Sequence, residues 1–401
     1  MNKISLFFVG FIILSSFCSF VTVKMLNVPC LIELFLFPLG YYYRRSIVWN
    51  RRDLIALVLF VIAGTFIGLL NPLFELGEIL QMSRCFFLGG LGFVLLKNNN
   101  LFSSKKKMMA LVFGVFMGDL ANSYLAMKTM LGSSLDREYA VDINIILSVL
   151  WPILIVFCKK SKWLLVLLVL VPILCFLSVS RGISTFFVVG IVLSLIFKTL
   201  KSPSKIFVSV TFLVIAFFAL SAVYERSEIA VRELSPSIHF RLYTKVKSYG
   251  KTKGDGGRIA PYVWLSENYG YYALPRGFLG KKFIKEKNSS LIPVQIPWDS
   301  AYFELIYTFG LIPFLLFLII YLYKLYQIFI YYNKTGEAIF AIACVMFLLL
   351  LIEHFFGYGM YRSPFTVFCN GALLGFIWRI SGHPETLYGN LIEVENTDVY
   401  E

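Results

Sequence analysis

Residues 301–330 read AYFELIYTFG LIPFLLFLII YLYKLYQIFI, and over this stretch only Glu304 and Lys324 carry charge. About 20 consecutive apolar residues suffice to cross the hydrocarbon core of a bilayer as a helix. The run therefore predicts a membrane-spanning helix, and comparable runs recur from one end of the chain to the other. The predicted spans are 4–24, 26–43, 54–74, 79–96, 108–126, 142–158, 162–179, 182–198, 205–224, 301–330, 338–357 and 364–380. Of the 401 residues, 58% are hydrophobic, and the mean hydropathy is +0.77. Soluble domains average about 45–50% apolar. The sequence thus predicts an all-α polytopic integral membrane protein with about 12 transmembrane helices, and it excludes soluble, fibrous and disordered classes. Membrane packing accounts for most of the 40 Phe and 23 Tyr.

Lys and Arg collect in the even-numbered connections: Arg44, Arg45, Arg51 and Arg52; Lys97 and Lys105–Lys107; Lys159, Lys160 and Lys162; Lys198, Lys201 and Lys205. Cytoplasmic loops are enriched in these residues. Both termini are accordingly expected in the cytoplasm, with Met1–Lys24 as an uncleaved first span. Four regions follow: helices 1–9 over residues 1–224, one large external loop over 225–300, helices 10–12 over 301–380, and an acidic cytoplasmic tail over 381–401. The long loop carries 13 Lys or Arg against seven acids, together with Trp264 and Trp298. It predicts a partly ordered basic cap. Much of the net charge of +14 is topological, so no nucleic-acid partner is expected. The seven Cys lie in or beside apolar spans without metal-ligand spacing, and are expected to be packing residues.

Ionisable groups within a span are expensive to bury and are functional candidates by default. On this topology Glu33, Arg84, Asp119, Arg181, Glu304, Glu353 and His354 all fall towards the outer face, and Arg362 follows. A transporter needs polar groups near mid-membrane that both sides can reach. An enzyme acting on a lipid-linked head group needs them at one surface, which is the pattern seen. Among candidate general bases, Glu304 lies one turn into its helix. His354 has a favourable intrinsic pKa, with Glu353 adjacent in sequence although neighbouring helical residues project in different directions.

Two local sequences carry a resemblance: Leu177-Ser178-Val179-Ser180-Arg181-Gly182, and Gly256-Gly257-Arg258-Ile259-Ala260-Pro261-Tyr262 followed by Pro275-Arg276-Gly277-Phe278 and by Asp299-Ser300 with Gly310 beyond. With the span layout and the late outer loop, the chain resembles the O-antigen polymerase and O-antigen ligase superfamily. That resemblance implies a metal-independent, GT-C-like glycosyltransferase of the bacterial inner membrane, working at the periplasmic face without cofactor. Its substrate would be an oligosaccharide linked to undecaprenyl pyrophosphate, held against membrane lipid, and a chain-length co-polymerase would be its partner. Arg181 and Arg258 match the family's arginines and would grip the pyrophosphate, with Arg84 and Arg276 in support. Asp299 stands where the ligases carry His, which points to the polymerase branch. It heads the candidate catalytic bases, before Glu304 and His354. The rivals are the ligase, which moves finished glycan to lipid A–core, and a flippase for lipid-linked oligosaccharide.

Overall fold

The computed structural model describes residues 33–45, 47–70, 76–99, 149–151, 181–199, 228–234, 275, 277–278, 301–356 and 364–382. Every regular element among them is a helix. We number these α1 Glu33–Tyr42, α2 Arg51–Leu69, α3 Leu76–Asn98, α4 Arg181–Thr199, α5 Glu228–Leu234, α6 Ala301–Phe309, α7 Leu311–Thr335, α8 Ala338–Phe356 and α9 Pro364–Gly382. Among the described residues, three segments are long and apolar enough to cross a membrane: Arg51–Leu69, Ile79–Asn98 and Leu311–Thr335. Backbone polar groups have no water partner in hydrocarbon, so a spanning segment must satisfy them internally, as a helix does. The described part is thus that of a helical membrane protein. The expected spans at 54–74, 79–96, 182–198, 338–357 and 364–380 coincide with α2, α3, α4, α8 and α9, and α1 occupies part of 26–43. The other expected spans lie outside the described residues, apart from three helical positions at 149–151.

The stretch 301–330 differs from expectation. It is two helices, α6 and α7, broken at Gly310, whose φ of 87° is one that L side chains rarely adopt. Pro313, with no N–H to donate, sits in the first turn of α7, where that loss is harmless. After the break α7 runs on to Thr335, and Gly336 closes it in the left-handed conformation.

The core is centred on α8. Its residues from Ile339 to Phe347 are all buried, as expected of a helix apolar on every side. Tyr332 of α7 donates its hydroxyl to the Phe197 carbonyl of α4. By contrast α2 and α7 expose Leu59, Phe66, Ile312 and Ile319, the faces that would meet lipid. α2 and α3 run antiparallel. At one end Lys97 Nζ meets Asp53 at 2.7 Å, and Asn98 adds a bond of 3.1 Å to the same carboxylate. At the other end the Thr65 and Ser83 hydroxyls pair at 2.7 Å. Asn99 accepts from the Val48 N–H (2.7 Å) and donates to its carbonyl (3.0 Å), which clamps the α1–α2 connection to the end of α3.

Among the described helices, α3 and α9 cross with their backbones in close contact. A Cβ on Gly371 would overlap the Gly89 carbonyl, and one on Gly375 the Phe93 carbonyl. Between membrane helices, association relies on this kind of close backbone packing, because lipid is as apolar as the side chains it would displace. Gly371→Ala is therefore expected to destabilise the protein by about 1–3 kcal/mol, the range for overpacking. Gly40→Ala meets nothing within 4 Å and should be neutral or slightly stabilising. Thermal unfolding of both variants in detergent checks the contrast.

Candidate functional site

The long loop reaches the bundle at one described point. Phe278 is fully buried, its ring stacked on Phe86 of α3 with centroids 4.6 Å apart and set edge-on to Phe309 of α6 at 6.3 Å. Phe60 of α2 joins the group at 6.2 Å. Such aromatic arrangements contribute about 0.5–1.5 kcal/mol each beyond the area they bury. The backbone is tied as well. The Phe278 N–H donates to the Gly64 carbonyl (3.1 Å), and the Gly277 N–H donates to the Thr308 carbonyl (3.2 Å). Gly277 has φ 77°, and a side chain there would run into the backbone of Gly68. Glycine is required here both for the conformation and for the approach. The loop thus docks where α2 ends and α3 begins, at the end of this helix pair away from Asp53 and Lys97.

Arg84 lies on α3 at the same end. Its guanidinium makes a two-point pair with Glu33 of α1: Nε meets Oε1, and Nη2 donates to Oε2 at 2.6 Å. This geometry matches a planar guanidinium to a carboxylate and ties α1 to α3. Arg84 is therefore engaged in an ion pair that occupies both of a carboxylate's oxygens.

On α8, Glu353 and His354 are both buried, with His354 Nε2 3.7 Å from the Glu353 carboxylate. Adjacent helical residues leave the axis about 100° apart, yet these two side chains converge within ion-pair range. Tyr302 of α6 supports the imidazole. Its ring lies edge-on to His354 at 5.9 Å, and its hydroxyl donates to the Leu351 carbonyl (2.9 Å). Tyr302 has no charge or motif to mark it in the sequence, and only its position two residues before Glu304 could have drawn attention to it. Glu304 lies on α6, so it and His354 occupy neighbouring helices. Arg181 is the first residue of α4. Asp299, Arg258 and Arg276, with Asp119 and Arg362, lie outside the described residues.

His354 also borders a cavity of about 530 Å³ among α2, α3, α6, α7 and α9. Phe60, Phe86 and Phe309, which hold Phe278, form part of its wall, and among the described residues lining it only Asp53 and His354 are polar. The arrangement offers a buried imidazole–carboxylate pair at an apolar chamber, with a loop element seated on the same aromatic cluster. Cys85, Cys344 and Cys369 are buried thiols that take their place in this packing. No protein-family model, curated protein or solved structure matches the chain.

Phe278→Ala should free the loop from the bundle. Burial of a Phe in a core is worth about 3–5 kcal/mol against Ala. Limited proteolysis of the protein in detergent is expected to cut residues 225–300 markedly faster in this variant, with Phe66→Ala, at an exposed position of α2, cleaved as wild type.

Proposed function

We propose that the protein is a surface-polysaccharide polymerase of the O-antigen type. It transfers the growing glycan from undecaprenyl pyrophosphate onto a new lipid-linked repeat unit, without metal or cofactor. The reading places it in the bacterial inner membrane with both termini cytoplasmic and the long loop periplasmic. The observation that carries it is the seating of Gly277 and Phe278, part of the Pro-Arg-Gly-Phe element of the resemblance, at the end of α2 and α3 remote from Asp53 and Lys97. That end also holds the Glu33–Arg84 pair, in keeping with head-group chemistry at one surface.

Attack of an acceptor sugar hydroxyl on C1 of the donor's lipid-linked sugar breaks the bond from C1 to the pyrophosphate oxygen. The electron pair and negative charge pass to undecaprenyl pyrophosphate, and the hydroxyl proton passes to a base. Fixed guanidinium groups suit the leaving group, because arginine binds phosphate oxygens in bidentate fashion. Arg181 and Arg258 take that role, aided by Arg276. Arg84, already bound to Glu33, serves through the pair. Asp299, Glu304 and His354 are the candidate bases. Of these, His354 has the support of Glu353 and Tyr302.

Loss of one preorganised donor to developing charge typically lowers the rate about 10²–10³-fold. Arg181→Ala and Arg258→Ala should each collapse the ladder of long-chain lipopolysaccharide to single repeat units on core, at unchanged protein level. Bare core in a deletion strain would instead indicate the ligase, and full-length ladders in a stably expressed double variant would overturn the proposal.

A further inference from the structure

The apolar cavity has a second feature that glycosyl transfer does not use. Its Asp53 end lies at the start of α2, where the chain carries exposed arginines. Asp53 itself is taken up by Lys97 and Asn98. Arg51 and Arg52, the first two residues of α2, are exposed, and neither guanidinium has a side-chain partner among the described residues. Arg379 of α9 reaches the same place, with Nη1 3.5 Å from the Lys97 carbonyl. Arg52, Ala56 and Phe60 follow one another at four-residue intervals and share a helix face, and Ala56 and Phe60 line the cavity. One stripe of α2 therefore leads from the exposed Arg52 into an apolar groove about 10 Å long, the seven-residue rise from Asp53 to Phe60. Phe317 of α7 forms the opposite wall and is itself partly exposed. Both α2 and α7 turn apolar faces outward, so a hydrocarbon chain could enter sideways without crossing a polar barrier.

We propose that this groove is a binding site for an anionic glycerophospholipid. Its phosphodiester lies against Arg52, and one acyl chain lies along Ala56, Phe60, Phe93 and Phe317. The charge at the mouth selects the head group, since clusters of Lys and Arg at the ends of membrane helices attract anionic lipid. The site stands apart from the glycosyl-transfer reading, and its test needs no enzymatic activity.

The full chain is reconstituted in nanodiscs of equal phosphatidylglycerol and phosphatidylcholine, released into mild detergent, and weighed by native mass spectrometry for retained lipid. Wild type is expected to retain phosphatidylglycerol in preference to phosphatidylcholine. Arg52→Gln should reduce that preference about fivefold, the worth of one basic residue near a membrane surface. Ala56→Trp, at an exposed position where a larger side chain fills the groove without entering the core, should abolish retention of both lipids. Equal retention of the two lipids by wild type, undiminished retention by Ala56→Trp, or recovery of a polyprenyl phosphate from native membranes in place of the phospholipid would overturn the proposal.

Discussion

The described structure depends on one close approach, the crossing of α3 and α9. At Gly92, Gly371 and Gly375 the two backbones pack so tightly that any added Cβ meets main-chain atoms of the other helix, and one on Gly89 meets the Val367 side chain. In water such a pair would be driven together by burial of apolar surface. In lipid that drive is absent, and the attraction must come from dispersion between surfaces that fit. Because the contact involves backbone rather than flexible side chains, it fixes the distance between the helices and their register as well.

Everything placed on α3 inherits that register. Arg84 and Phe86 lie towards its start, where one binds Glu33 and the other stacks on Phe278. Lys97, Asn98 and Asn99 lie at its end, where they hold Asp53 and the connection after α1. The helix thus joins two ends of different character. One receives the long loop on an aromatic cluster, and the other lies beside the start of α2 with its exposed Arg51 and Arg52. The cavity between them is open because α6 breaks from α7 at Gly310, so that Leu305, Phe309 and Phe314 line it from two separate helices.

Much of the described part of the fold was legible in the sequence because hydrocarbon leaves the backbone few options. Apolar runs at 79–96, 338–357 and 364–380 are helices with ends within a few residues of expectation, and the run at 54–74 is helical from Arg51 to Leu69. The break at Gly310 was hidden because the apolar run continues through it, and apolar composition carries no record of φ. The site was less legible. Glu33 and Arg84 stood out as charges in apolar runs, but their union joins residues 51 positions apart, and the sequence does not encode such pairing. Phe278 was visible within its motif, whereas its burial depends on Gly64 and Gly68 leaving room on α2. Tyr302 and the glycine crossing belong to a residue type and a spacing common in any membrane helix. Only the packed structure distinguishes them.

We propose that this bundle joins lipid-linked glycans at the surface where the loop docks. The most direct measurement uses purified protein in liposomes supplied with undecaprenyl-pyrophosphate-linked repeat units on the loop's side, with products separated by size. The expected products are lipid-linked glycans of two and more repeats, with one undecaprenyl pyrophosphate released for each new linkage. Movement of intact single units across the bilayer without elongation, or no consumption of the units at all, would contradict it.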